Sequence, residues 1–114
     1  MSSRDWSEVE VLAAIAEYFE MLSLELRGRQ YDKAEHRRRL LSLLSDRSPA
    51  AVERKHMNIS AILRDAGVPF IDGYKPLGNY QALLMQAVHE RLARSRALLE
   101  RLARATEEVP KAED

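Results

Sequence analysis

The sequence predicts an all-α fold: a compact domain of four to five helices with a helix-turn-helix-like central pair and a long C-terminal helix. Ala, Leu, Glu and Arg, which lose little freedom in a helix, dominate the 114 residues, whereas Gly and Pro occur four times each. Apolar residues recur at helical spacing, and no stretch alternates at period two long enough to form a strand. We place a single domain at residues 1–105 and an acidic flexible tail at 106–114.

The first helix is predicted to start near Ser7 and to stop at Gly28. Ser7 and Glu10 have the spacing of a capping box, in which each side chain satisfies a free backbone N–H of the other residue. Gly tolerates the left-handed conformation that ends many helices. Trp6, just before the cap, packs against the helix or lies in the core. The predicted apolar face consists of Val11, Leu12, Ile15, Tyr18, Phe19, Leu22 and Leu26.

The second and third helices are predicted to begin at Asp32 and at Ser48-Pro49. Asp and Ser are common N-caps, and Pro suits the first helical position because no backbone N–H is needed there. The third helix is expected to reach Ala66 and end at Gly67, as one helix or as two. The apolar side of the second helix comprises Leu40, Leu41, Leu43 and Leu44, and that of the third comprises Val52, Ile59, Ile62, Leu63 and Ala66.

Residues 67–78 hold three of the four Gly and two of the four Pro, so we expect a loop there, pinned to the core by Phe70 and Ile71. Asn79 is then predicted to cap a last helix that reaches about Ala105. The apolar stripe of this helix is too long for the preceding helices to cover, so it packs along the first helix or against a second copy in a homodimer. The stripe comprises Leu84, Val88, Leu92, Ser95, Leu99 and Leu102.

The net charge of zero hides a strong segregation of charge along the chain. Residues 1–26 carry one Arg against six acids, residues 27–104 carry sixteen Lys and Arg against eight acids, and residues 105–114 carry one Lys against four acids. A basic middle between acidic ends favours the binding of a polyanion such as nucleic acid. The alternative is an ordinary helical bundle whose Arg-rich helices are merely solvated and paired.

The composition also excludes several kinds of site. Because the sequence contains no Cys, it has no disulfide framework, no thiol nucleophile and no Cys-based zinc site. No apolar run approaches the roughly 18 residues of a membrane span, and the first residues lack the apolar core of a signal peptide. We therefore expect a cytoplasmic protein that does not associate with a membrane.

No set of residues in the sequence forms a recognisable catalytic or metal centre. His36, His56 and His89 fall on three different predicted helices without clustered acids, whereas metal sites usually draw ligands from close pairs. We expect His36 on a basic surface, His56 half-buried and hydrogen-bonded, and His89 exposed. Glu53 and Lys55 match the Glu-x-Lys of many nucleases, but side chains two apart on a helix diverge by about 200°. We therefore expect no enzyme activity, cofactor or metal in this chain.

DNA binding is the hypothesis that the pattern favours, since two helices joined by a turn at 32–66 have the layout of a helix-turn-helix. Arg and Asn at the front of the second helix of such a pair contact base edges, whereas other Arg and Lys contact phosphates. The loop before Asn79 adds an anion site at a helix N-terminus. The candidate DNA-binding residues are Arg37, Arg38, Arg39, Arg47, Arg54, Lys55, His56, Asn58, Tyr74, Lys75 and Asn79.

An ordered string of motifs resembles the N-terminal region of bacterial McrA-like type IV HNH restriction endonucleases. The motifs are residues 31–38 (YDKAEHRR), 47–48 (RS), 53–56 (E-x-K-H), 56–63 (HMNISAIL) and 67–81 (GVPFIDGYKPLGNYQ). The resemblance implies a multidomain parent enzyme that cleaves DNA with modified bases or a modified backbone, and whose chemistry lies in a C-terminal HNH domain. It also implies that this region contributes DNA binding, modification sensing or dimerisation. Asp32 and Met57 stand where the family pattern has Asn and Gln, which weakens the expectation of base-specific contacts.

The resemblance leaves two functions open for the domain. As a DNA-binding domain, it would use a pocket formed by His56, Asn58, Tyr74 or Tyr80 to receive a modified base. As a dimerisation module, it would position two nuclease domains through its last helix. The two roles are compatible, since a dimer presents two basic faces at a fixed spacing.

Overall fold

The computed structural model describes residues 5–108 of the chain, except for the side chains of residues 98–103 and 105–108. This part of the chain contains four α-helices and no strand, which confirms the predicted all-α fold. None of these four helices is long and apolar enough to cross a membrane. The helices are α1 (Glu8–Leu26), α2 (Lys33–Leu41), α3 (Pro49–Asp65) and α4 (Ala82–Glu108).

The predicted capping box closes the N-terminus of α1. The Ser7 hydroxyl accepts a hydrogen bond from the backbone N–H of Glu10 (3.2 Å), and the Glu10 carboxylate accepts one from the N–H of Ser7 (3.0 Å). At the other end Gly28 adopts a φ of +72°, and the N–H of Arg29 donates to the carbonyl of Leu24 (2.8 Å). The left-handed Gly therefore ends the helix as predicted.

The predicted starts of α2 and α3 are also confirmed. The Asp32 carboxylate accepts a hydrogen bond from the N–H of Ala34 (2.9 Å), and the Ser48 hydroxyl accepts one from the N–H of Ala51 (3.1 Å). Pro49 occupies the first turn of α3, where it needs no hydrogen-bond acceptor. α3 is a single unbroken helix, so its sequence does not form two shorter ones.

The predicted apolar faces are too wide. Leu12, Leu26 and Leu43 are 47%, 61% and 67% exposed, and Ala66 is exposed as well. α2 ends at Leu41, so Leu43 no longer follows its helical periodicity. Leu12 and Leu26 point away from the core, so the face of α1 that packs against the other helices is narrower than its apolar stripe.

α1 and α3 form the centre of the fold, because each of them packs against all three other helices. The residues of α3 from Asn58 to Leu63 are all buried. Tyr18 of α1 crosses the core, where its hydroxyl hydrogen-bonds with Ser60 (2.7 Å) and accepts a hydrogen bond from the N–H of Ile71 (2.9 Å). Ile71 is fully buried, as predicted, and it fixes the loop between α3 and α4 to the core.

α4 begins later than predicted, at Ala82. Asn79 does not cap this helix, because it adopts a left-handed conformation (φ +59°) within the preceding loop. The N–H of Met85 donates to the carbonyl of Gln81 (3.2 Å), which makes Gln81 the residue before the helix. The expectation of an Asn79 cap is therefore wrong.

The far end of α4 runs past the expected Ala105 to Glu108. Residues 109–114, which make up most of the predicted tail, lie outside the described residues. Leu84 and Val88 of the predicted stripe are buried and Leu92 is partly buried against the core. The side chains of Leu99 and Leu102, which complete that stripe, belong to the part that the structure does not describe.

Candidate nucleic-acid interface

A cleft of about 600 Å³ lies where the N-terminal segment, the first turns of α3 and the loop before α4 meet. Five of the predicted DNA-binding residues line it, although they are far apart in the sequence: Arg47, Arg54, Lys55, Asn58 and Asn79. The other lining residues are Asp5, Trp6, Ala51, Leu77, Gly78, Tyr80 and Gln81. The cleft therefore combines basic, amide and aromatic side chains on one concave surface.

One wall of the cleft is held together by Trp6 and Gln81, which are 75 residues apart. The Gln81 side chain accepts a hydrogen bond from the N–H of Trp6 (3.2 Å) and donates one to its carbonyl (2.9 Å). Trp6 itself is only 5% exposed and belongs to the core, which answers the question of its position. No local pattern in the sequence indicates this pairing, because Gln81 acts on a segment at the other end of the fold.

Arg47 is a structural residue of the cleft. It binds both carboxylate oxygens of Glu10, from Nε (3.1 Å) and from a terminal nitrogen (2.9 Å), and it also donates to the carbonyl of Asp5 (3.0 Å). The hydrogen bonds from Arg47 lower the pKa of the mostly buried Glu10 to about 2, against the opposing effect of burial. The charge of Arg47 is thereby neutralised, which argues against the phosphate contact predicted for it.

Unlike Arg47, Lys55 and Arg54 are not neutralised by a carboxylate of any described side chain. The Lys55 ammonium lies 5.0 Å from the centre of the Trp6 ring, and Arg47 lies 5.1 Å from the same ring. Burial and the charge of Arg47 lower the pKa of Lys55, and the charges of Asp5 and Glu10 oppose them only in part. Among the side chains that the structure describes, no carboxylate oxygen lies within 4.0 Å of the nitrogens of Lys55 or Arg54.

Asn58 forms the floor of the cleft and is 8% exposed. Its amide nitrogen donates to the carbonyls of Leu77 (2.6 Å) and Gly78 (3.2 Å). The N–H of Leu77 in turn donates to the carbonyl of Met57 (3.1 Å), so the middle of α3 fixes this loop at three points. The fold uses Asn58 as a donor, and its side-chain oxygen accepts no hydrogen bond from any described residue.

His56 and Tyr74 lie on the opposite side of α3, in the core. His56 is fully buried, and its ring centre lies 5.7 Å from that of Tyr18 and 5.0 Å from that of Tyr74. Neither ring nitrogen of His56 makes a hydrogen bond of good geometry, and burial lowers its pKa to about 4, although the nearby backbone of Ala14 opposes part of that shift. The expectation of a half-buried, hydrogen-bonded His56 is therefore wrong. Because Tyr74 is also only 2% exposed, neither ring touches a bound duplex in this conformation.

The three consecutive arginines of α2 do not form one face. Successive residues of a helix point about 100° apart. The guanidinium of Arg39 lies 3.8 Å from Glu17 and 4.0 Å from Glu20, both on α1. Arg38 is exposed, and Arg37 is partly buried on the side where its charge acts on Tyr74. Lys75 is exposed and does not line the cleft.

His36 does not lie on a basic surface, contrary to expectation. It is 5% exposed, and its Nδ1 atom is hydrogen-bonded to the carboxylate of Glu17. Donor atoms of Glu17, Glu20 and His36 lie within 4.8 Å of one another, so clustered acids do surround this histidine. Arg39 shares the Glu17 carboxylate and already supplies a positive charge there. His89, by contrast, is exposed as predicted.

No family model, curated protein or solved structure matches this chain. The fold and the cleft therefore stand on their own geometry, and the family resemblance stays an expectation that rests on the motifs quoted above.

Proposed function

We propose that this chain binds double-stranded DNA through the cleft. We further propose that it serves as the N-terminal domain of a modification-dependent HNH restriction endonuclease, to which it adds sensing of modified bases but no catalysis of its own. The observation that carries the proposal is a difference between neighbouring cations. Glu10 neutralises Arg47, whereas Arg54 and Lys55 have no carboxylate partner among the described residues.

Cations without partners at a concave surface are suited to phosphate groups. Lys55 is half-buried, so its ammonium is already partly stripped of water, and an arriving phosphate would replace the missing counter-charge. Arg54 is exposed and one residue away, which lets the two side chains contact successive phosphates of one strand. Arg37 and Arg38 on α2 are flanking contacts for a longer duplex.

The front of α3 is the part that would enter a DNA groove. Ala50, Glu53 and Arg54 are exposed there, whereas the residues from Asn58 to Leu63 are buried. This distribution agrees with helix-turn-helix binding, in which the N-terminal residues of the second helix contact base edges. A DNA-binding role also places the protein in the compartment that holds the DNA, which in a bacterial cell is the cytoplasm.

The test is duplex binding by the purified chain at low salt, with modified and unmodified DNA of one sequence side by side. The double variant Arg54→Gln/Lys55→Met is expected to bind at least tenfold more weakly than the wild type, because two phosphate contacts are lost. The matched control is Arg64→Gln, which removes an exposed positive charge from the same helix outside the cleft. Equal affinities for the wild type and the double variant would refute the role of the cleft, and equal affinities for the two duplexes would refute modification sensing.

A second candidate function, dimerisation, is favoured by an apolar groove of about 570 Å³ beside α4. Leu26 is 61% exposed at its edge, and Arg91 lies over the ring of Phe19 (4.6 Å). α4 forms one wall, so α4 of a second copy is the occupant that continues the helix packing already present. The groove is lined by Phe19, Leu22, Ser23, Leu26, Arg27, Leu63, Val68, Pro69, Arg91, Leu92 and Ser95.

Light scattering over a concentration series tests this second role. A dimer is expected for the wild type, and Leu26→Glu is expected to shift it to monomer, because a carboxylate would be buried in the interface. Leu43→Glu is the matched control, since Leu43 is equally exposed but does not line the groove. A monomeric wild type at high concentration would refute dimerisation and leave DNA binding unaffected.

A further inference from the structure

The side-chain oxygen of Asn58 is a polar atom of the cleft that accepts no hydrogen bond from any described residue. Both hydrogens of the amide nitrogen are used, on the carbonyls of Leu77 and Gly78. The amide cannot turn over without breaking both bonds, so its oxygen stays a fixed acceptor. Among the described side chains, only the two ring nitrogens of His56 are both sealed from solvent and without a hydrogen-bond partner. The Asn58 oxygen also has no partner, and because it is not one of those sealed atoms, it is accessible to solvent. It opens to the cleft that Asn58 lines.

We infer that this cleft receives one unpaired nucleobase with an exocyclic amino group, which donates a hydrogen bond to the oxygen of Asn58. The inference rests on the proposed function and names the ligand of the same site. The volume of about 600 Å³ falls within the roughly 300–1,000 Å³ of ordinary small-ligand sites. A single nucleotide therefore fits inside the cleft, whereas a paired duplex contacts only residues exposed at its opening, such as Arg54.

The concave shape is what requires the base to be unpaired. Asn58 is 8% exposed at the floor of the cleft, and only a protruding group can reach it. The base edges of a paired duplex are themselves recessed in a groove, so two concave surfaces would face each other. A base that has left the helical stack, or that belongs to a single strand, protrudes from its backbone and can enter.

Tyr80 supplies the surface on which such a base stacks. Its ring lines the cleft, is partly buried, and packs against the core. Its hydroxyl donates to the carboxylate of Asp65 near the end of α3 (3.4 Å), so both ends of the side chain are fixed. A fixed aromatic ring loses little freedom when a base stacks on it. Lys55 and Arg54 lie at the same cleft and take the phosphates on either side of the base.

The acceptor selects among the bases. Adenine, cytosine and guanine carry amino groups that can donate to the Asn58 oxygen. The single ring N–H of thymine lies between two carbonyl oxygens, which would face the Asn58 oxygen and repel it. Because the Asn58 nitrogen is held by the loop, it cannot donate to those carbonyls in compensation.

The experiment changes the ligand and leaves the protein intact. Four duplexes of the same sequence are prepared: one is fully paired, and the other three each carry a single bulged adenine, purine or thymine. Purine is adenine without its amino group. Quenching of Trp6, the one tryptophan of the chain and a residue of the cleft, reports binding. Bulged adenine is expected to bind about fivefold more tightly than bulged purine, the effect of one hydrogen bond, and thymine no more tightly than purine. Affinities for adenine and purine within twofold of each other would overturn the inference.

A pair of variants tests the stacking. Tyr80→Ala is expected to lower the affinity for bulged adenine at least fivefold, whereas Tyr80→Phe keeps the ring and the affinity. Thermal unfolding confirms that both variants fold. If folded Tyr80→Ala binds bulged adenine as tightly as the wild type does, the inference is wrong.

If the proposed function is wrong, the fully paired duplex shows no salt-dependent binding. That binding does not require Asn58, so this result is distinct from a failure of the present inference. The same bases in a single-stranded oligonucleotide separate the two sources of an unpaired base. If adenine is preferred over purine only in the bulged duplex, the ligand is a base extruded from a duplex. If the same preference is found in the single-stranded oligonucleotide, the ligand is any unpaired base.

Discussion

The two sides of α3 treat their polar residues in opposite ways. On the cleft side, Asn58 donates two hydrogen bonds to the loop and keeps an accessible oxygen. On the core side, His56 is sealed between Tyr18 and Tyr74, and its ring nitrogens have no partner. The two residues are two positions apart, which places them about 200° apart on the helix. A polar side chain of a helix can bind a ligand only where the residues packed around it leave its atoms accessible. The sequence of the helix alone does not identify those residues.

Acid should therefore destabilise the folded protein through His56, on the core side of α3. Burial lowers the pKa of His56 from 6.5 to about 4, so between these values the unfolded chain binds a proton that the folded chain does not. The contribution of neutral His56 to the free energy of unfolding is complete above pH 6.5. About 3 kcal/mol of it should be lost as the pH falls to 4.

Urea unfolding of His56→Leu over this pH range checks the expectation. The variant should lose about 3 kcal/mol less than the wild type between pH 6.5 and 4, since Leu binds no proton. His89→Leu, which removes an exposed histidine, is the control and should follow the wild type. Parallel pH profiles for all three proteins would mean that His56 is not sealed as described.

The cleft side depends instead on the pairing of Glu10 with Arg47. Arg47→Met should lower the free energy of unfolding by about 3 kcal/mol at neutral pH, because it leaves a mostly buried carboxylate without its partner. The low pKa of Glu10, about 2 against the usual 4.5, implies that the stability from this pair is complete above pH 4.5 and is lost as the pH falls towards 2.

Arg38→Met provides the comparison for that variant, since Arg38 is an exposed arginine of α2. Its unfolding free energy should stay within about 0.5 kcal/mol of the wild type. If both variants unfold at the same urea concentration, Arg47 is not the structural residue that distinguishes this side of α3.

A smaller effect is expected at the wall of the cleft. Gln81→Ala removes two hydrogen bonds to the backbone of Trp6 and should lower the free energy of unfolding by about 1 kcal/mol. The fluorescence of Trp6 should shift to longer wavelength as the segment loosens. Gln86→Ala, an exposed position on α4, should leave both signals unchanged, and equal shifts in the two variants would contradict the pairing.

The parts of the fold that the sequence predicts are those set by neighbouring residues. The caps at Ser7, Asp32 and Ser48 each involve a backbone group two or three positions away, so the pattern alone locates the helix starts. Asn79 is the exception, because its left-handed conformation depends on a loop that Asn58 holds from another helix.

The cleft is only half predictable for the same reason. Basic residues and amides in 47–58 indicate an anion-binding surface, and several of them do line the cleft. Their roles depend on partners remote in sequence, such as the 37 positions between Glu10 and Arg47 or the 75 between Trp6 and Gln81. No pattern in one sequence reports such contacts, so the neutralised Arg47 could not be told from the unpaired Lys55.

The salt dependence of duplex binding decides whether the cleft of this protein binds DNA. Each phosphate contact contributes about 0.9 to the slope of log affinity against log salt. The slope of Arg54→Gln/Lys55→Met should therefore be shallower than that of the wild type by about two, while Arg64→Gln/Arg96→Gln, an equal loss of exposed charge outside the cleft, keeps the wild-type slope. Identical slopes for the wild type and both double variants would contradict a cleft that binds DNA.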